Sequence, residues 1–393
     1  MTHAKILSGR LTQVKDRGWP TPSYRKEKAS QQPEPVRRMS PVLQPVEVSM
    51  GAQPLTGCNG WVVTDGHMGT LATTTGIAAA LGLEFEHKCM APRGPWSALP
   101  SWSLVDPREH FGRAGSTLSP PWPDVAIAAG RHTIPYLKAL RRASEGATFT
   151  VLLQHPRTGS DVADLIWCPL HDQLHAANVI STLTSPHAMR PCEIVALRKT
   201  PIPAIDALGR PLVAVLLGGP NGVFKFDAPA LERLAGSLRS FAAAGARFLI
   251  TPSQRTTASL FRAVTQATRG AKRIVWPLRG VDSYWTLLAH ADLTIVTADS
   301  VNMTSQACAT GRPVYVFEPS GGSEKFALFH ARLRNSGATR PLTPQTAPAD
   351  RWSYRPLDSA PKIAAEIARR FRAARAPMAP VRFEFSGAPR PGA

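Results

Sequence analysis

At 393 residues with 43% hydrophobic content, the chain is long enough for two domains of ordinary size plus tails, each with a real core. A formal charge of +19 calls for anionic partners, and because the arginines are spread along the whole length without an RNA- or DNA-binding signature, nucleic acid is set aside. What remains is a phosphorylated small molecule or peripheral contact with an anionic membrane.

Residues 1–56 place Pro20, Pro22, Pro33, Pro35, Pro41, Pro45 and Pro54 among Lys, Arg, Gln and Ser, which predicts a disordered basic tail. Its opening lacks an apolar stretch, so no signal peptide is expected. No apolar run approaches the roughly 18 to 20 residues that span a bilayer. At Trp61 the composition changes: WVVTD reads as a strand, DGHMGT as a tight turn and Leu71 to Leu83 as a helix of small residues, the start of a Rossmann-like half. Phe85 to Cys89 follows as a strand. The Pro- and Gly-rich segment after it carries Trp96, Trp102, Phe111 and Trp122, aromatics expected to pack back onto their own domain.

Alternation then resumes with strands in DVAIAAG, TFTVLLQHPR, DLIWCPL and NVISTL and a basic helix from Arg131 to Glu145. Strands alternating with helices predict a parallel sheet covered on both faces, with ligands beyond the carboxyl ends of the strands. Polar residues gather at those ends: Asp65-Gly66-His67, Gly130-Arg131-His132, Gln154 to Arg157 and His171-Asp172. PIPAIDALGRP, near Thr200, reads as a linker.

A second alternation begins with PLVAVLLGGPNG, which sets Gly218, Gly219, Asn221 and Gly222 directly after a strand. The turn TPSQR puts Ser253 and Arg255 at the opening of a helix, and LRGVDSYW, with Arg279, reads as a loop leading into another. DLTIVTADSVNMTSQACATGRPVYVFE is a complete strand–helix–strand unit in which Asp299-Ser300 caps a helix of about ten residues ending at Gly311. Such a helix start presents unpaired amides at the positive end of its dipole and attracts phosphate. Ser323 to Ser336 predicts a further helix, and Lys362 to Ala374 a last one whose Ile363 and Ile367 return to the first domain before a frayed end. The boundaries expected are 57–203 for a first, acceptor-side domain, 204–345 for a nucleotide-donor domain and 346–393 for the returning helix and tail. Five cysteines, Cys58, Cys89, Cys168, Cys192 and Cys308, lack metal-ligand spacing and read as reduced thiols of a cytoplasmic protein without a metal site.

Six stretches, DVAIAAGRHTIPYLKAL, FTVLLQHPR, CPLHDQLHAANVISTL, LLGGPNGVFKFD, TPSQRTT and TADSVNMTSQACATGRPVYVF, resemble in order the mitochondrial fission ELM (elongated mitochondria) family. The resemblance implies an α/β, GT-B-like fold: two Rossmann-like domains with parallel sheets facing across a cleft. It implies a nucleotide-sugar-dependent glycosyltransferase acting on a membrane-associated or small-molecule acceptor, the sugar nucleotide being substrate and no cofactor being required. The alternative it offers is a non-catalytic scaffold that recruits a protein partner, as plant members do. By similarity, Gly218, Gly219, Asn221 and Gly222 approach the diphosphate, with Ser253 and Arg255 beside it, and the loop at Arg279 meets the base. Asp299, Ser300, Asn302 and Met303 line the helix start, and Asp65, His67, His132 or Asp172 serves as catalytic base. Two positions depart from the pattern. Gln306 stands where a Glu ordinarily accepts from ribose hydroxyls, and Gly69 to Thr73 replaces a Gly-His-x-Asn-Gln type loop.

Overall fold

The computed structural model describes residues 54–98, 104–276 and 281–376. The expected tail up to residue 53, Trp102, Arg279 and the chain beyond residue 376 lie outside these. The first lobe runs β1 (Asn59–Thr64), α1 (Met68–Leu81), β2 (Glu84–Cys89), β3 (Val125–Ala129), α2 (Ile134–Ala143), β4 (Phe149–Leu153), β5 (Leu165–Pro169) and β6 (Val179–Thr182). Its six strands are parallel in the order β2-β1-β3-β4-β5-β6. Successive side chains on a strand face opposite ways, so Val62, Ile127 and Val151 enter one core while Val63, Ala126 and Leu152 enter another. Burial on both faces is why these strands read as continuous apolar runs.

The second lobe opens with α3 (Pro191–Lys199) and α4 (Pro203–Asp206). It continues through β7 (Leu212–Leu217), β8 (Phe224–Lys225), α5 (Ala228–Ala243), β9 (Arg247–Pro252), α6 (Ala258–Ala267), β10 (Arg273–Val275) and α7 (Val281–His290). It ends with β11 (Leu293–Thr297), α8 (Val301–Cys308), β12 (Val314–Phe317), β13 (Ser320–Gly321), α9 (Glu324–Asn335) and β14 (Thr339–Pro341), after which α10 (Ala360–Arg375) returns to the first lobe. Its main sheet is also parallel, in the order β10-β9-β7-β11-β12-β14, and β8 and β13 form a small antiparallel pair. Two parallel, doubly wound sheets in tandem are the GT-B-like architecture expected.

In each sheet the chain runs outward on one side of the first strand and then returns to the other side. The reversal falls between β1 and β3 in the first lobe and between β7 and β11 in the second. Connections leave such a pair of strand ends in opposite directions and open a crevice there. The two crevices meet: a Cβ added at Gly69, in the first turn of α1, would lie 2.9 Å from Nδ2 of Asn302 in the first turn of α8. Further along α1, a Cβ on Gly76 would come within 2.5 Å of the His187 backbone. The Ser185 amide donates to Ser305 Oγ at 3.0 Å, and the Thr184 and Ser359 hydroxyls share a hydrogen bond of 2.7 Å. α10 lays Ile363 and Ile367, both fully buried, against Ile77 and Leu81 of α1.

Several local readings change. PIPAIDALGRP is no open linker, because Ile205 and Leu208 are buried in the second lobe's core with Ile194 of α3. The helix after Asp299-Ser300 has eight residues, α1 starts at Met68, and α7 takes in Val281 to Trp285, part of the expected loop. Leu55 is buried and its amide donates to the Leu81 carbonyl at 2.8 Å, so ordered packing starts before residue 57. Two of the long segment's aromatics do pack inward: Phe111 stacks on Trp122 at 5.8 Å, and Trp122 meets Trp61 edge-on at 5.9 Å. Among the described residues no helix is long and apolar enough to cross a membrane.

Truncating Ile363 to Ala removes apolar volume from beneath α10 and is expected to cost about 3 kcal/mol in urea denaturation. Val195→Ala, at a position 44% exposed on α3, is expected to stay within about 0.5 kcal/mol of the parent.

Candidate functional site

β7 turns at Gly218-Gly219-Pro220-Asn221 and its neighbour β11 turns at Ala298-Asp299-Ser300, so the two turns lie side by side at the second lobe's crevice. Between them the Asp299 side chain is fully buried and fully engaged. Its Oδ2 accepts from the Gly219 amide at 2.9 Å and from Arg255 Nη2 at 2.7 Å, and its Oδ1 accepts from the Thr297 hydroxyl at 2.7 Å. Thr297 Oγ1 in turn accepts from the Gly218 amide at 2.8 Å. These contacts account for both glycines: a Cβ on Gly218 would lie 2.2 Å from Asp299 Oδ2, and one on Gly219 would lie 1.9 Å from the Arg255 carbonyl oxygen. Gly222 faces open space.

The rest of the loop is tied by polar contacts. Asn221 Oδ1 accepts from the Val223 and Phe224 amides at 2.9 and 2.8 Å, and its Nδ2 donates to the Asp299 carbonyl at 3.4 Å. Arg255 also donates from Nη1 to the Gly219 carbonyl at 2.9 Å, yet 42% of its side chain faces solvent. Ser253 Oγ accepts from the Arg255 amide at 3.3 Å, and the Thr256 hydroxyl donates to the Gly218 carbonyl at 2.7 Å. Ser300 is the N-cap of α8, its Oγ accepting from the Met303 amide at 3.4 Å. Met303 contributes that amide, while its side chain packs against the lobe's core. The amides of Val301 and Asn302 have no acceptor inside the helix and stand at its positive end. Gln306, half-buried, lies one turn beyond Asn302 on the same face.

On the first lobe, Asp65 Oδ1 accepts from the Thr70 hydroxyl at 2.9 Å and from the His67 amide at 3.4 Å, and His67 is exposed. His132 is partly buried, and its Nε2 accepts from Arg131 Nε at 3.0 Å. Burial, then the Arg131 charge, holds the imidazole below its ordinary pKa against the opposing pull of Asp65, so the neutral base form prevails at neutral pH. Asp172 lies elsewhere. It follows β5, three strand spacings of about 4.8 Å from β1 and so roughly 14 Å away. There it is nearly buried, ion-paired with Lys325 of the second lobe and accepting from Cys168 Sγ at 3.5 Å.

Gly219, Arg255, Ser300 and Asn302 therefore share one crevice, with Asp65, His67 and His132 at the facing one. Sequence reasoning missed Thr297 and Thr256, the hydroxyls that fasten the glycine turn. Their one sequence signal is a Thr at the last position of a strand, two residues before Asp299, and a Thr directly after Arg255. Among the described residues no group of three His, Cys, Asp or Glu side chains is placed to hold a metal ion.

A family model described as Mitochondrial fission ELM1 matches residues 68–371. The mitochondrial fission protein ELM1 of Arabidopsis thaliana is 30% identical over 275 residues, 64% of each chain, so this chain spans less than two-thirds of that relative. An uncharacterized protein of Rickettsia prowazekii is 25% identical over 349 residues, 78% of this chain and 96% of that one. Among solved structures, a UDP-GlcNAc 2-epimerase from Methanocaldococcus jannaschii aligns over 79% of this chain and 99% of its own, at 10% identity and a TM-score of 0.46. MurG from Acinetobacter baumannii aligns over 81% and 93%, at 14% identity and a TM-score of 0.40.

Gly219→Ala is expected to lose about 2–4 kcal/mol of stability in chemical denaturation, because its methyl group meets backbone that cannot yield cheaply. Gly222→Ala is expected to be neutral. A second expectation concerns acid. Burial, aided by Lys325, His330 and Arg332, pushes the buried His171 down from 6.5 to about 4. The unfolded chain thus takes up that proton first: the contribution is whole above pH 6.5 and is lost as pH falls toward 4. His171→Phe should flatten the fall in melting temperature over that window; an unchanged pH profile would contradict this.

Proposed function

The chain belongs to the mitochondrial fission ELM1 family, and on that premise we propose that its cleft binds a nucleoside-diphosphate sugar and transfers the sugar to an acceptor held by the first lobe. The single observation that carries this reading is the facing of two switch-point crevices, one with a capped helix start and a part-exposed guanidinium, the other with a neutral imidazole beside a carboxylate. The amides of Val301 and Asn302, the Ser300 hydroxyl and the free edge of Arg255 are suited to the diphosphate. As the sugar leaves, the same groups stabilise charge growing on the departing nucleoside diphosphate.

His132 is the preferred base: its Nε2, once released by Arg131, takes the acceptor hydroxyl's proton while Asp65 favours the imidazolium that forms. The Gln306 amide oxygen would receive a ribose hydroxyl, weaker than a carboxylate by roughly 1 kcal/mol. Gly218, Gly219, Asn221, Gly222 and Ser253 then act by shaping the crevice rather than by touching phosphate. The family resemblance assigns the nucleobase to the stretch at Arg279, which lies outside the described residues.

A second reading has its own support. Gln306 in place of a carboxylate, and Gly69 to Thr73 without the His, Asn and Gln of the family pattern, weaken donor and acceptor contacts, as a non-catalytic scaffold for a protein partner would allow.

Thermal-shift titration with UDP, GDP and their sugar conjugates decides between these. The transferase reading expects a nucleotide to raise the melting temperature, and Ser300→Ala or Arg255→Lys to weaken it about tenfold, near 1.4 kcal/mol. His132→Gln should leave nucleotide affinity within about twofold while slowing release of nucleoside diphosphate at least 100-fold. Stabilisation without any release would favour the scaffold; no shift with any nucleotide would remove the donor site.

A further inference from the structure

A cavity of about 390 Å³ opens between the lobes at the carboxyl ends of β4 and β5, away from the β1/β3 crevice, and the first turn of α9 closes it. The cavity lies on the carboxyl-end side of the sheet, to one side of the switch-point crevice rather than in it, and its volume is enough for one or two sugar rings rather than a lipid. Every side chain lining it is polar. Asp172 and Lys325 neutralise each other across the lobes, and Arg157 and Glu324 add one charge of each sign.

Two observations mark a built site rather than a chance gap. His171, only 5% exposed, lines the cavity and is held in place by the Phe329 ring, 5.0 Å away on the same helix that covers the cavity. Arg157 and Gln173, on either side, both hold left-handed backbone at φ +57° and +54°, uncommon for residues other than glycine and frequent around ligand sites. The Arg157 amide donates to His155 Nδ1 at 2.9 Å, which leaves the Nε2 hydrogen of His155 to donate elsewhere. Burial holds His171 uncharged at neutral pH.

Interleaved donors and acceptors with no net charge match vicinal hydroxyls, and they match neither a diphosphate nor an apolar chain. We infer that this cavity is an acceptor subsite for an uncharged saccharide unit, with Arg157, His155, His171 and Glu324 hydrogen-bonding its hydroxyls. The inference rests on the transferase reading above and names that reading's acceptor class. The helix that closes the cavity also braces the donor crevice. The Phe326 ring lies 5.0 Å from that of Phe224, beyond the glycine turn, and His330 Nε2 is 2.9 Å from the Ala298 carbonyl oxygen.

Saturation-transfer NMR on the full chain tests this with methyl glucoside, galactoside, mannoside and N-acetylglucosaminide, and with inorganic phosphate as competitor. At least one glycoside should receive saturation. The signal should fall at least fivefold in Arg157→Ala and in His155→Ala, both melting within about 2 °C of the parent, and should persist in Ser300→Ala. Transfer that survives both cavity variants, transfer to no glycoside, or displacement by phosphate would each overturn the subsite. Glycoside transfer without any UDP or GDP binding would support the saccharide site and count against the donor reading alone.

Discussion

The second lobe's crevice depends on the buried carboxylate of Asp299. A carboxylate removed from water costs several kcal/mol unless its oxygens are satisfied, and stripping a partner from such a pair typically costs about 3–5 kcal/mol. Here an amide, a guanidinium and a hydroxyl satisfy it, and they come from β7's turn, the loop after β9 and the end of β11. One charge thus fixes three strand ends relative to one another. The same contact fixes Arg255 at the rim and orients the start of α8, so the groups proposed to meet a phosphate are held in place before it arrives. Electrostatic stabilisation is strongest when its dipoles need no rearrangement.

The lobes meet through small side chains for a matching reason. α1 carries Gly76 because backbone of the crossover at His187 approaches it too closely for a Cβ, and Gly69 in its first turn faces the Asn302 side chain of α8. The crossover is itself crowded: His187 is buried with its ring 5.1 Å from that of Trp285, and burial raises the Asp358 carboxyl that faces it. The chain passes this point twice, and α10 then returns to cover α1. The cleft is therefore bounded by two fixed crevices and closed on one side by the Asp172–Lys325 pair and by Arg332, which donates to the Leu170 carbonyl at 3.0 Å.

Much of this was legible in the sequence where local physics decides. Strands buried on both faces leave apolar runs such as LVAVLL, and the Asp-Ser before α8 reads as a cap because a hydroxyl there satisfies a first-turn amide. The parallel-sheet rule located the polar clusters at the strand ends, and the structure sets Asp65 beside His132 and Ser300 beside Arg255. What was not legible is non-local. Gly218 and Gly219 carry the signature of a phosphate loop, but their small size is demanded by Asp299, some 80 residues away. Asp172 looked like a free acid because nothing near it in sequence announces Lys325. Prolines around residue 203 suggested a linker, since their turn chemistry outweighs two buried apolar residues in so short a stretch.

The most direct test of the central claim, that the start of α8 receives a diphosphate, is a crystal structure of the full chain grown with UDP or GDP. Pyrophosphate oxygens are expected about 2.7–3.2 Å from the Val301 and Asn302 amides, with the Asp299–Arg255 pair intact behind them. Nucleotide bound on any other surface, or a pyrophosphate that displaces Asp299 from Arg255 and the Gly219 amide, would contradict it.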